Sequence, residues 1–159
     1  MGRLASRLSL DAWGAHSAGL FEECGKAVLF RHAPDHYRAM LRAASDDGDL
    51  VVLERAGFGV SHDALGAALC ESWGLGAAAV ASVRHHVHAQ ATRQLPEQAP
   101  RRAICALSVI AHAMEGDLDA LDETALIVAP QADLDPTLVL RAARQARDEI
   151  EGALANGRE

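Results

Sequence analysis

At 159 residues the chain suits one domain, with half its residues hydrophobic and 23% charged, an ordinary globular composition. A net charge of −7 with scattered basic residues argues against a nucleic-acid partner, which needs a basic face. Only 4% of residues are aromatic, so the core must come from Ala, Leu and Val, which suit close helix packing.

In chain order, Asp11 can cap a helix running to about Cys24, with Gly25 as its left-handed stop. The short apolar segment KAVLFRHA follows. Pro34 opens the next helix, its fixed φ suited to a first turn and Asp35 placed well against the helix dipole. SDDGD reads as a turn. LVVLERAG is short and apolar, open to helix or strand, and its helical neighbours favour helix.

Ser61 is the clearest cap, preceding HDALGAALCESW, where Leu65, Leu69 and Trp73 form a stripe expected to be buried. After the Gly74–Leu75–Gly76 break, Val80, Val83 and Val87 mark another stripe. RQLPEQAP is a loop with two prolines. Ile104, Leu107, Ala111 and Met114 share one face of segment 101–115. ALIVAP at 125–130 is the one place where a strand is conceivable. Asp135–Pro136 starts a helix near 136–154, with Arg144/Asp148 and Arg147/Glu151 as exposed four-apart pairs. No segment alternates with period two over any length, so the class is all-α.

Three cysteines, Cys24, Cys70 and Cys105, are odd in number and far apart, as expected of free thiols in a reducing compartment. No apolar run approaches the roughly 20 residues of a membrane span. The start lacks a secretory signal, so a cytoplasmic protein with no membrane partner is expected.

Candidate chemistry lies at Glu22–Glu23, His62, the HHVH run at 85–88 and His112. Singly, each has a structural explanation. His85 and His88 stand three apart on one helix face and could share a metal, but no acidic or cysteine partner lies near them in sequence. Gly25–Lys26 lacks the preceding glycine-rich run of a phosphate loop.

Taken together, AGLFEECGKAVLFRHAPDHY, then ERAGFGVSHDALGAALCESWGL, then VRHH resemble the HDOD family of bacterial signalling domains, relatives of HD-type metal-dependent phosphohydrolases. The matching frame begins near residue 3, is strongest from Ala18 to His86, and continues more weakly to about Met114. Glu54, Phe58, His62, Gly66, Trp73 and the His85–His86 pair carry it. The resemblance implies an orthogonal multi-helix bundle lacking the family's first helices. It divides the chain into a partial HDOD-like domain at 1–115 and a C-terminal helical extension at 116–159 packing on the same domain.

In that frame Glu22 and Glu23 stand where catalytic relatives carry adjacent His and Asp, and His112 falls near a further metal-binding Asp. Glu and His can still ligate a metal, but hydrolytic geometry tolerates errors of well under an ångström. The catalytic family's first histidine lies upstream of the matching region. After His85–His86 the chain reads VHAQATRQLPEQ, without the Gly-Tyr-Pro signature of cyclic-dinucleotide phosphodiesterases. The resemblance therefore implies a degenerate site, a pseudoenzyme with no metal and no cofactor, in which His62, His85 and His86 are internal polar connectors. A regulatory module working through protein partners of a signalling pathway is the function implied. The alternative is a metal-dependent phosphohydrolase of nucleotides or phosphodiesters using Glu22, Glu23, His62, His85, His86 and His112. The short front end should leave an apolar face near Trp13, Leu20, Val28 and Leu29, covered by self-association or an upstream partner, unless the gene model starts late.

Overall fold

The computed structural model describes residues 1–116 and 118–156. Among the described residues the chain is helical throughout, without a strand, an all-α multi-helix fold of the kind expected. The elements are α1 (Gly2–Arg7), α2 (Ala12–Phe21), α3 (Cys24–His32), α4 (Pro34–Ala43), α5 (Asp47–Phe58), α6 (His62–Ser72), α7 (Ala77–Thr92), α8 (Ala99–Ala113), α9 (Leu118–Val128) and α10 (Pro136–Asn156). ALIVAP is therefore the end of α9 and a 3₁₀ turn, Pro130–Ala132, rather than a strand.

Local chemistry explains most of the boundaries. Asp11 accepts from the Gly14 amide at 2.9 Å, Asp46 from the Asp49 amide at 2.8 Å, and Asp135 from the Thr137 amide at 2.7 Å. Gly59 ends α5 in the left-handed region at φ 73°, which a side chain would disfavour. Ser61 occupies the cap position of α6, yet its hydroxyl makes no capping bond; it donates to Asp63 and accepts from Arg55 Nε at 3.3 Å.

Gly25 departs from its expected role. It lies inside α3, where its missing side chain permits contact with another helix. A Cβ there would fall 2.0 Å from the His62 carbonyl oxygen, a backbone atom that cannot rotate away. Gly66 plays a related part, since its Cβ would meet Cys24 Sγ and Val83 Cγ1 at 3.3 Å each. The buried face of α6 is thus the small-residue row His62, Asp63, Gly66, Ala67 and Cys70. Small residues let α3 and α7 approach, and the larger Leu65, Leu69 and Trp73 are displaced to its flanks. Trp73 is 54% exposed and leans on Phe21, ring centroids 5.2 Å apart, which corrects the expectation of a buried tryptophan.

One apolar cluster joins Leu4 of α1, Ala15 of α2, Leu107 and Ile110 of α8, Leu121 of α9 and Val139 of α10, so the first and last helices share a core. A second, around Leu29, Tyr37, Met40 and Leu50, joins α3, α4 and α5. Of the apolar face expected at the front, Trp13, Leu20 and Val28 are exposed, but Leu29 is buried in this second cluster. Arg147 pairs with Glu151 at 2.9 Å; Arg144 instead grips Asp122 of α9 with both contacts at 2.7 Å, because α9 offers a carboxylate in the plane of its guanidinium. No described helix is long and apolar enough to cross a membrane.

All three thiols are free. Burial pushes Cys70 up to about 11 and Cys105 up to about 12. A thiol whose pKa is raised on folding contributes stability that is present below its ordinary value and lost as pH rises through the folded value. Urea midpoints should therefore fall as pH rises from about 9 toward about 12, and Cys105→Ala should flatten that slope; an unchanged slope would contradict the burial argument. Gly25→Ala should cost about 3 kcal/mol by overpacking, whereas Gly152→Ala, in open space on α10, should be neutral or stabilise by up to about 1 kcal/mol. Chemical denaturation of the two variants distinguishes them.

Candidate functional site

Three helices bring the candidate residues together. Glu22 and Glu23 occupy the short break between α2 and α3, His62 is the first residue of α6, and His86 lies mid-way along α7. The glycine contacts at 25 and 66 bring these elements close enough for Glu23, His62 and His86 to meet. Among the described residues these three form the group whose ligating atoms all lie within 4.8 Å of one another.

Each side chain is held from behind. Glu54 of α5 is fully buried and accepts three hydrogen bonds: from the Tyr37 hydroxyl at 2.6 Å, the His62 amide at 2.7 Å and His62 Nδ1 at 2.7 Å. A buried carboxylate without such donors would be several kcal/mol unfavourable. Because the carboxylate takes the Nδ1 proton, His62 Nε2 is left as the lone-pair nitrogen. In the same way His86 Nδ1 faces the Val83 carbonyl at 2.7 Å; a carbonyl can only accept, so His86 Nε2 carries the lone pair in the neutral ring. Both Nε2 atoms are buried and neither meets a hydrogen-bond partner. The two rings lie 5.4 Å apart at 59°.

Glu23 completes the group. Its Oε1 lies 3.5 Å from His86 Nε2, and its Oε2 lies 2.8 Å from the Lys26 ammonium, which also reaches Asp47 at 2.6 Å. Burial alone would raise the Glu23 pKa, but the contacts with His86 and Lys26 outweigh it and bring it down to about 2. Burial works against the charged forms of His86 and Lys26 as well, yet their carboxylate neighbours raise both. Glu22 faces elsewhere. It accepts from the Ser108 hydroxyl of α8, which in turn accepts from Gln90 Nε2 at 3.2 Å, and burial lifts its pKa. Adjacent acids in sequence thus have different partners.

The remaining candidates are spread out. His112 is exposed on α8 and lines an open cleft of ≈ 660 Å³ together with Glu22, Glu23, Lys26, Asp47 and Gln90. His85 points away from the pair of buried rings, into a smaller cleft of ≈ 270 Å³ with Glu71, Arg84 and Arg101. His88 is exposed. Trp73 is peripheral, while Glu54 and Gly66 act from behind the site as described. Sequence reasoning did not find Tyr37, Asp47 or Ser108, since each joins the site from a distant helix. The Lys26–Glu23 pair was accessible, because a three-residue spacing puts the two on one helical face.

Removing Glu54 would strand three buried donors. Glu54→Ala should cost about 3–5 kcal/mol and Tyr37→Phe about 1–3 kcal/mol in chemical denaturation; equal stability of Glu54→Ala and the parent would contradict the hub described here.

No curated protein and no solved structure matches the chain. The family model for the HDOD domain matches residues 1–89, a span that carries α1 to α6 and, within α7, His86. With more than half of its length in that match, the chain belongs to the HDOD domain family.

Proposed function

We propose that the chain is a non-catalytic regulatory module of bacterial signal transduction, acting through a protein partner. The observation that carries this reading is the Lys26 ammonium clamped between Glu23 and Asp47 at 2.8 and 2.6 Å. A fixed internal cation compensates the carboxylates at the mouth of the cleft, where a phosphohydrolase would concentrate uncompensated oxygen ligands for its metals. Glu22, drawn to Ser108, does not converge with Glu23, and His112 stands exposed on the cleft rim. Such a set is short of the ligands that hydrolysis needs.

An output surface is available on α2. Trp13 is 78% and Leu20 65% exposed, and large apolar side chains in water favour a covering partner. The second reading, a metal-dependent phosphohydrolase of nucleotides or phosphodiesters, draws support from one feature, the convergence of Glu23 with the two buried imidazoles.

Purified protein loaded in turn with Mn²⁺, Fe²⁺, Ni²⁺ and Zn²⁺ should leave a panel of nucleotides and phosphodiesters intact. Turnover that disappears in Glu23→Ala would overturn the regulatory reading in favour of the hydrolase. A photo-crosslinker at position 20 should yield a single reproducible protein adduct in cells; a bare monomer would count against the partner surface.

A further inference from the structure

We propose that Glu23, His62 and His86 form a three-donor site for one divalent transition-metal ion of borderline softness, such as Zn²⁺ or Co²⁺. The proposal goes beyond the regulatory reading, since an ion held here would join α3, α6 and α7 whether or not any chemistry follows.

Two imidazole nitrogens, 0% and 1% exposed at the residue level, direct unpartnered lone pairs toward the same carboxylate. An unsatisfied buried polar atom costs about 1–3 kcal/mol, so two of them side by side mark a place built for something that accepts electron pairs. Protein hydrogen bonds set the proton positions. Glu54 and the Val83 carbonyl each take an Nδ1 proton, the arrangement that fixes the tautomer of metal-bound histidines and raises their basicity. Lys26 holds the far oxygen of Glu23, leaving Oε1 turned toward His86. All three donors are therefore oriented before an ion arrives.

The dimensions agree. Donors about 2.0–2.2 Å from one ion in tetrahedral geometry stand about 3.4 Å from each other, and His86 Nε2 and Glu23 Oε1 are 3.5 Å apart. The widest separation in the group, within 4.8 Å, asks for a contraction of roughly an ångström, within reach of Glu23 at its helix break. Two nitrogens and one carboxylate oxygen suit Zn²⁺, Co²⁺ or Fe²⁺ and disfavour Mg²⁺, which prefers oxygen and keeps its waters.

The test uses the full chain stripped by a chelator and titrated with Co²⁺ alone and with Zn²⁺ alone, Mg²⁺ serving as comparison. One equivalent of Co²⁺ should bind and develop the visible absorption of a low-coordinate site. Zn²⁺ should displace it and raise Tm, and Mg²⁺ should do neither. Glu23→Gln, at a half-exposed position that does not threaten folding, should weaken Co²⁺ affinity by about 100-fold or more, with the metal-free melting curve unchanged. His88→Ala should bind like the parent. Absence of stoichiometric binding, or equal affinity in Glu23→Gln and the parent, overturns the site. Binding without phosphodiester turnover supports the site and leaves the regulatory reading standing. Binding with metal-dependent turnover supports the site and overturns that reading alone.

Discussion

The buried carboxylate of Glu54 is the interaction on which the centre of this molecule depends. It lies fully out of solvent, where an uncompensated charge would be prohibitive, and three donors make its burial tolerable. Two of those donors belong to His62, so a single residue fixes both the start of α6 and the direction of the imbedded ring. The third, the only tyrosine hydroxyl in the chain, ties α4 to the same point. Helices α4, α5 and α6 are thereby locked around one carboxyl group. The ring that emerges from this lock presents a defined nitrogen to α3 and α7.

Around that fixed centre, charge is distributed in a way that separates neighbours in sequence. Glu22 and Glu23 differ by one position, yet one faces a serine on α8 and the other faces an ammonium and an imidazole. The break between α2 and α3 explains the divergence: Glu22 keeps the helical conformation at the end of α2, while Glu23 at φ −99° and ψ 8° leaves it and turns inward. An acidic pair that reads as one unit is therefore two sites with different electrostatics, Glu22 raised by burial and Glu23 lowered by its cationic neighbours. Function follows from the inward member.

Much of the architecture was legible in the residues. Pro34, Asp35, Ser61 and Asp135–Pro136 mark helix starts through local chemistry that does not depend on the rest of the fold, and those starts stand where expected. Gly25 and Trp73 were misread for a common reason. A glycine at a helix end and a tryptophan on an apolar stripe both have strong local meanings, but here tertiary packing sets their roles. Close approach of α3 to α6 requires a residue without a Cβ at position 25, and the same tight contact selects the small face of α6, turning Trp73 outward. The site was legible in its residue types more than in its grouping. Glu23, His62 and His86 were each candidates, but neither Glu22 nor His85, their sequence neighbours, shares their environment. Which member of an adjacent pair points inward depends on helix phase and on the exact break, and neither is encoded in residue identity alone.

The most direct measurement is the protonation pattern of the two buried rings, read by long-range ¹H–¹⁵N correlation NMR on the metal-free protein at mildly alkaline pH. Both His62 and His86 should appear as neutral rings protonated on Nδ1, with Nε2 shifts of unprotonated nitrogen and no averaging between tautomers. A ring protonated on Nε2, or two rings in fast tautomeric exchange, would mean that Glu54 and the Val83 carbonyl do not orient them, and the convergence of lone pairs on Glu23 would be lost.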